Sequence, residues 1–257
     1  MSVAEGGARW MARGEHELPS APTWLSDGEA DLADGIRFTK RRTEYLLRRW
    51  VAKHAVAAST GLPPDPGSLA RIEVHNRPSG APYVRLDGRP WGQDVSLSDR
   101  AGWAVCLVGQ DLSRVGCDLE IVEPRSTGFV ADFLTPAEQE YVAARPRADR
   151  DAAANLLWSA KESALKVLKV GLRRDTRSVE VTVTDEPPGR KGLAGWAGLE
   201  VRTMEGPVLP GWWRRDGCFL VTVVSERHLD PPLALAGTAD LTTAHPVHSW
   251  VDRPLSS

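Results

Sequence analysis

"LWSAKESALK", Leu157 to Lys166, sets three charged residues, Lys161, Glu162 and Lys166, inside an otherwise apolar run. Leu157, Ala160, Ala164, Leu165 and Leu168 recur at helical spacing, so the stretch reads as a packed helix. Glu162, Lys166 and Lys169 fall on a different stripe. On a solvated face an i,i+4 pair such as Glu162 with Lys166 contributes only about 0.3 kcal/mol. The alternative is that Glu162 is an oxygen ligand for a hard cation and the lysines face phosphates, the surroundings Mg²⁺ prefers.

Upstream, "VGCDLEIVEP" (residues 115–124) alternates Val115, Cys117, Leu119 and Ile121 with Gly116, Asp118 and Glu120. Period two is a strand with one apolar face. Asp118 and Glu120 share the other face, their Cα atoms about 7 Å apart. Such a face either meets solvent or, if buried, needs a metal or a base between its carboxylates.

Around these two stretches the chain divides into halves of similar order. Residues 38–60 form a helix, with Leu46, Leu47, Val51 and Val56 at helical spacing and Gly61 and Pro63 as its stop. Strand-like runs "ARIEVHN", "APYVRL", "DVSLS" and "WAVCLVG" follow it. The second half offers "LTPAEQEYVAA", with Thr135 as N-cap, Pro136 at N1 and Glu138 at N3. A long helix over about 149–172 and strands at "SVEVTVT", "LEVRT" and "GCFLVTVVS" complete it. The fold class expected is α+β, in two pseudo-equivalent halves, each a long helix on a small, mostly antiparallel sheet. The boundaries are 1–113, 114–228 and a Pro/Ala/Thr-rich tail, 229–257, expected to pack poorly. The first thirty-odd residues read as loop with a short edge strand.

The 257 residues are 42% apolar with a net charge of −2, enough for a core and without the basic field that nucleic-acid binding exploits. No run approaches the roughly 18 apolar residues of a membrane span, and the start lacks a signal-peptide core. Cys106, Cys117 and Cys218 sit in apolar runs without CxxC spacing, as buried reduced thiols of a cytoplasmic protein would. Trp103 and Trp158 are expected in the core, and Trp212 and Trp213 on a hairpin edge. His245 and His248 have ligand spacing but no acidic or Cys partner nearby, so they are set aside.

"VGCDLE" followed by "WSAKESALK" resembles the paired signature of the Sfp-type 4'-phosphopantetheinyl transferases, G-x-D-x-E and then W-S/T-x-K-E-S/A-x-x-K. The likeness runs from about Phe38 to Ser225. It implies a monomeric enzyme that moves the phosphopantetheine arm of coenzyme A onto a serine of an acyl or peptidyl carrier protein. By match to the motif, Asp118, Glu120 and Glu162 would hold Mg²⁺, and Lys161 and Lys166 would contact phosphates. The base would be Glu162 or Glu138, the latter equally readable as a capping-box glutamate with Thr135. Arg41 and Arg49 match basic positions toward the coenzyme A 3'-phosphate, or else form part of a solvated basic helix face. "SLSDRAG", with Ser98, Asp99 and Arg100, matches a nucleotide-contacting turn in which relatives carry histidine where Asp99 stands. The "SGAP" turn lacks the cation relatives carry at Ala81. Asp99 would weaken coenzyme A binding unless it orients Arg100 toward the phosphate. A rival reading is a non-catalytic relative that binds carrier protein or coenzyme A; a third is a generic Mg²⁺ phosphoesterase.

Overall fold

In chain order the elements are β1 (Arg9–Gly14), α1 (Asp27–Asp34), α2 (Thr39–Thr60), α3 (Pro66–Ala70), β2 (Ile72–Asn76), β3 (Pro82–Leu86), β4 (Arg89–Pro90), β5 (Val95–Arg100), β6 (Trp103–Val108), β7 (Val115–Ile121), α4 (Thr127–Phe133), α5 (Pro136–Ala143), α6 (Arg150–Val167), β8 (Val179–Val183), β9 (Ala197–Thr203), β10 (Val208–Asp216), β11 (Phe219–Ser225) and β12 (Leu233–Ala234). They are seen in a computed structural model that describes residues 7–109, 113–170, 174–184, 195–204 and 206–247. Leu172, the expected helix end, and His248 lie outside the described residues.

The class is α+β, with mixed helices and mainly antiparallel sheets. One sheet has the order β12-β1-β6-β5, a second β7-β11-β10-β9-β8, and a third β2-β3-β4. Helix α2 buries Leu47, Val51, Ala55 and Val56 against the first sheet, beside Met11, Ala104 and Cys106. Helix α6 buries Leu157, Ala160, Ala164 and Leu165 against the second, beside Val179, Leu199, Val201 and Leu220. A third core, with Trp10, Trp103, Leu107, Cys117, Leu119 and Phe219, joins the two sheets. Gly116 allows α6 to approach β7. A Cβ there would sit 1.9 Å from the Ser163 carbonyl oxygen.

Each half carries the same buried device. Lys53 of α2 pairs with Glu29 at 2.6 Å and donates to the carbonyls of Trp24 and Leu69. Glu29 caps α1 in a box with Ser26, and its other oxygen accepts the Val74 N–H of β2. Lys161 of α6 pairs with Glu138 at 2.8 Å and donates to the carbonyls of Thr176 and Val179. Glu138 caps α5 with Thr135, as its position at N3 suggests, and accepts the Val181 N–H of β8. Burial lowers both ammonium pKa values, and the facing carboxylates oppose that shift. Each pair ties a short helix, a long helix and a strand into one unit.

Three expectations change. The N-terminal strand β1 is not an edge strand, because β12 pairs in parallel with it at Arg9–Leu233 and Trp10–Ala234. Helix α1, signalled by the Ser26–Glu29 capping box, replaces the expected loop. The described part of the tail, 229–247, is packed: Leu235, Leu241 and Ala244 are buried, and the Val247 N–H bonds the Ala101 carbonyl. Its prolines and threonines suggest otherwise, but backbone pairing to β1 holds it in place.

The tryptophans also differ. Trp103 is buried as expected, but Trp158 is half-buried beside Phe129 and Phe133. Trp212 and Trp213 lie on β10, an interior strand between β9 and β11. Cys106 and Cys117 are buried free thiols; Cys218 is also free but only half-buried. No described helix is long and apolar enough to cross a membrane.

Candidate active site

The face of β7 that holds Asp118 and Glu120 packs on α6 instead of meeting solvent, which settles the choice left open by the strand's alternation. Asp118 is 6% exposed. Its Oδ1 accepts from Ser98 Oγ at 2.8 Å and Lys166 Nζ at 2.9 Å, and its Oδ2 accepts from Ser159 Oγ at 2.9 Å. Three groups from β5 and α6 thus converge on one carboxylate of β7. Ser159 was not singled out in the sequence, although it lies one helical turn before Glu162 and two before Lys166 on the same stripe.

Glu120 is held by two hydrogen-bond donors and a further ion pair. Trp158 Nε1 reaches its Oε1 at 3.0 Å, while Arg100 Nε at 3.2 Å and Arg125 Nη2 at 3.4 Å face its Oε2. Burial and the Asp118 charge raise its pKa, against the pull of both arginines.

Glu162 differs in kind. Its Oε1 is buried and finds no hydrogen-bond partner among the described residues. Burial first, then the charges of Asp118 and Glu120, push its pKa up to about 7, against the pull of Lys166. Burial alone would lower the Lys166 pKa, but Asp118, Cys117 and Glu162 together hold it above its ordinary range. The three carboxylates therefore share one field. Among the described residues no three His, Cys, Asp or Glu side chains stand close enough to hold a metal as they are. The fit to a hard cation rests on the donor set: three carboxylates, with Asp118 and Glu120 both raising the Glu162 pKa, and one buried oxygen left without a donor among the described residues.

Lys166 and Lys169 open onto a cavity of about 250 Å³ that Ser79, Gly80, Ala81 and Pro82 also line, with Asp94, Ser96 and Leu97. The "SGAP" turn thus lies across the cavity from the helix that carries Glu162. Lys169 is paired with Asp94 at 2.9 Å.

Other expected site residues lie elsewhere. Lys161 is fully buried on Glu138, on the far side of α6 from Asp118, so it reaches no phosphate. It stands four residues from both Leu157 and Leu165 and belongs to the apolar stripe. Glu138 is 1% exposed, with one oxygen capping α5 and the other accepting the Val181 N–H, so it is not placed to take a proton. Arg49 is buried against the Tyr45 ring, 3.7 Å from Glu29, because it shares the inward face of α2 with Lys53. Arg41 lies exposed over the Phe38 ring. Asp99 does not orient Arg100. It pairs with Arg48 at 2.5 Å, and Arg100 turns to Glu120 and Glu123. Glu44 stands in the combined field of Asp99, Lys40, Arg48 and Arg41, which places all of these at one end of α2.

No curated protein matches the sequence. Among solved structures, the holo-(acyl-carrier-protein) synthase AcpS of Thermotoga maritima is similar at 20% identity, over 47% of this chain and 78% of that chain, with a TM-score of 0.31. The stretch from Arg114 to Thr203, which carries Asp118, Glu120, Glu162 and Lys166, matches the family model of the 4'-phosphopantetheinyl transferase superfamily.

Proposed function

We propose that the protein transfers the 4'-phosphopantetheine arm of coenzyme A to a serine of an acyl or peptidyl carrier protein, in the manner of the Sfp-type enzymes. The observation that carries this reading is the convergence of Asp118, Lys166 and Glu162 between a G-x-D-x-E strand and a K-E-x-x-x-K helix, beside an open cavity. Asp118, Glu120 and Glu162 would hold Mg²⁺. Bound there, the ion offsets the charge of the coenzyme A pyrophosphate. Lys166 faces the phosphates from the cavity wall and steadies Asp118. Ser98 and Ser159 fix the Asp118 carboxylate in one orientation. Glu162 Oε1, which no donor engages among the described residues, would take the proton of the incoming serine hydroxyl. Glu138 is too enclosed to compete for it.

The test is the intact mass of a carrier protein incubated with coenzyme A, Mg²⁺ and this protein. The expected result is a gain of one phosphopantetheine arm. An unmodified carrier across acyl and peptidyl types would overturn the reading.

Asp99 neutralises Arg48 at the end of α2 that the sequence resemblance would turn toward the nucleotide. Asp99→Asn should free that guanidinium and tighten coenzyme A binding several-fold, about 1 kcal/mol, since the pair is partly wet. Calorimetry at low and high salt checks it. The gain should shrink with salt, and an unchanged affinity would remove Arg48 from the nucleotide site.

A further inference from the structure

Glu120 enters the proposed metal site with its carboxylate already committed. Both arginines beside it also touch a second acid, Glu123. Arg100 Nη2 donates to Glu123 Oε1 at 2.5 Å, whereas its Nε faces Glu120 without an aligned hydrogen bond. Arg125 Nη1 lies 3.3 Å from the same Glu123 oxygen, while its Nη2 makes a long 3.4 Å bond to Glu120. Arg125 is further fixed by Asn155 Oδ1 at 2.7 Å, and Asn155 Nδ2 holds the Glu123 carbonyl, also at 2.7 Å. Asn155 is fully buried on α6, so this frame is anchored to the same helix as Glu162.

The better bond of Arg100 is therefore to Glu123, and Arg125 is placed to follow. We propose that Glu123 is a positioning residue that draws Arg100 and Arg125 off Glu120, so that Glu120 can turn to a divalent cation beside Asp118 and Glu162. The inference rests on the metal reading given under Proposed function. Its physical content is a competition. Two guanidiniums and one cation contend for Glu120, and Glu123 supplies the second anion that lets the guanidiniums leave. Without Glu123, both arginine charges have Glu120 as their nearest counter-ion, and freeing that carboxylate strands them. Glu123 and Arg100 are each more than a third exposed, so substitution at either leaves the core untouched.

The experiment measures Mn²⁺ binding by electron paramagnetic resonance, without coenzyme A or turnover. Glu123→Gln should weaken Mn²⁺ binding by about tenfold, and Arg100→Gln should tighten it. In the Arg100→Gln background, adding Glu123→Gln should cost about twofold or less, because the clamp it relieves is already half removed. A long-range charge effect of Glu123 would instead cost the same factor in both backgrounds, and that result overturns the proposal. So does a Glu123→Gln chain that binds Mn²⁺ as the parent does. If the parent binds no Mn²⁺ at all, the metal reading itself fails and takes this inference with it. As a second readout, Glu123→Gln should raise the Mg²⁺ concentration needed for half-maximal transfer and leave kcat at saturating Mg²⁺ nearly unchanged.

Discussion

Glu162→Gln should give a protein that transfers about 10²-fold more slowly or worse, yet is more stable than its parent at pH 8. The loss of rate follows from removing both a cation ligand and the proposed base. The gain in stability follows from the field at the site. Folding raises the Glu162 pKa from 4.5 to about 7. The folded state therefore binds its proton more tightly than the unfolded state does. The contribution of Glu162 to stability is full below pH 4.5, declines as pH climbs through about 7, and is level above it. The upper bound set by that shift is about 3 kcal/mol, and solvent screening of a partly exposed side chain reduces it to about 1–2 kcal/mol. Glutamine keeps the shape and discards the charge. Urea unfolding at pH 5 and pH 8 should show the parent losing stability across this interval and the variant losing less. Parallel curves, or unimpaired transfer, would refute the assignment.

Lys161→Met should behave in the opposite way. It leaves Glu138 charged, 1% exposed and without a cation, which costs about 3–5 kcal/mol. The melting temperature should fall sharply, while transfer per folded molecule in the cold stays near that of the parent. Combining it with Glu138→Gln should recover part of the loss, because the amide keeps an acceptor for the α5 cap and no charge is stranded. A phosphate ligand would give the reverse pattern, with intact stability and a raised KM for coenzyme A.

The contrast between Lys161 and Glu162 shows where sequence reading succeeded and where it stopped. The period-two strand over Asp118 and Glu120, the Thr135 cap and the two long helices are local patterns, and local patterns survive folding. The phosphate role of Lys161 rests on its match to the motif, although its position among Leu157, Ala164 and Leu165 already places it on the buried face. Ser26 and Glu29 spell the same capping signature as Thr135 and Glu138, yet the weak apolar character around α1 hid it. Arg125 and Glu123 carry no signature, since their partners come from β5 and α6 and only tertiary contact brings them together. The tail failed for a similar reason. Its order comes from backbone pairing with a strand more than two hundred residues earlier.

That last pairing sets a timetable. During synthesis β1 emerges first and can join β6 once residue 108 is out, but the strand that covers its other edge arrives only with residues 233–234. At about 5–20 residues per second, the interval between them is roughly 6–25 s. Through that interval the nascent chain shows an open strand edge, which is a template for pairing with other chains. Delay at this stage is where misassembly should begin. Limited proteolysis of ribosome-stalled chains ending before and after residue 234 would read it, with β1 becoming resistant only in the longer set.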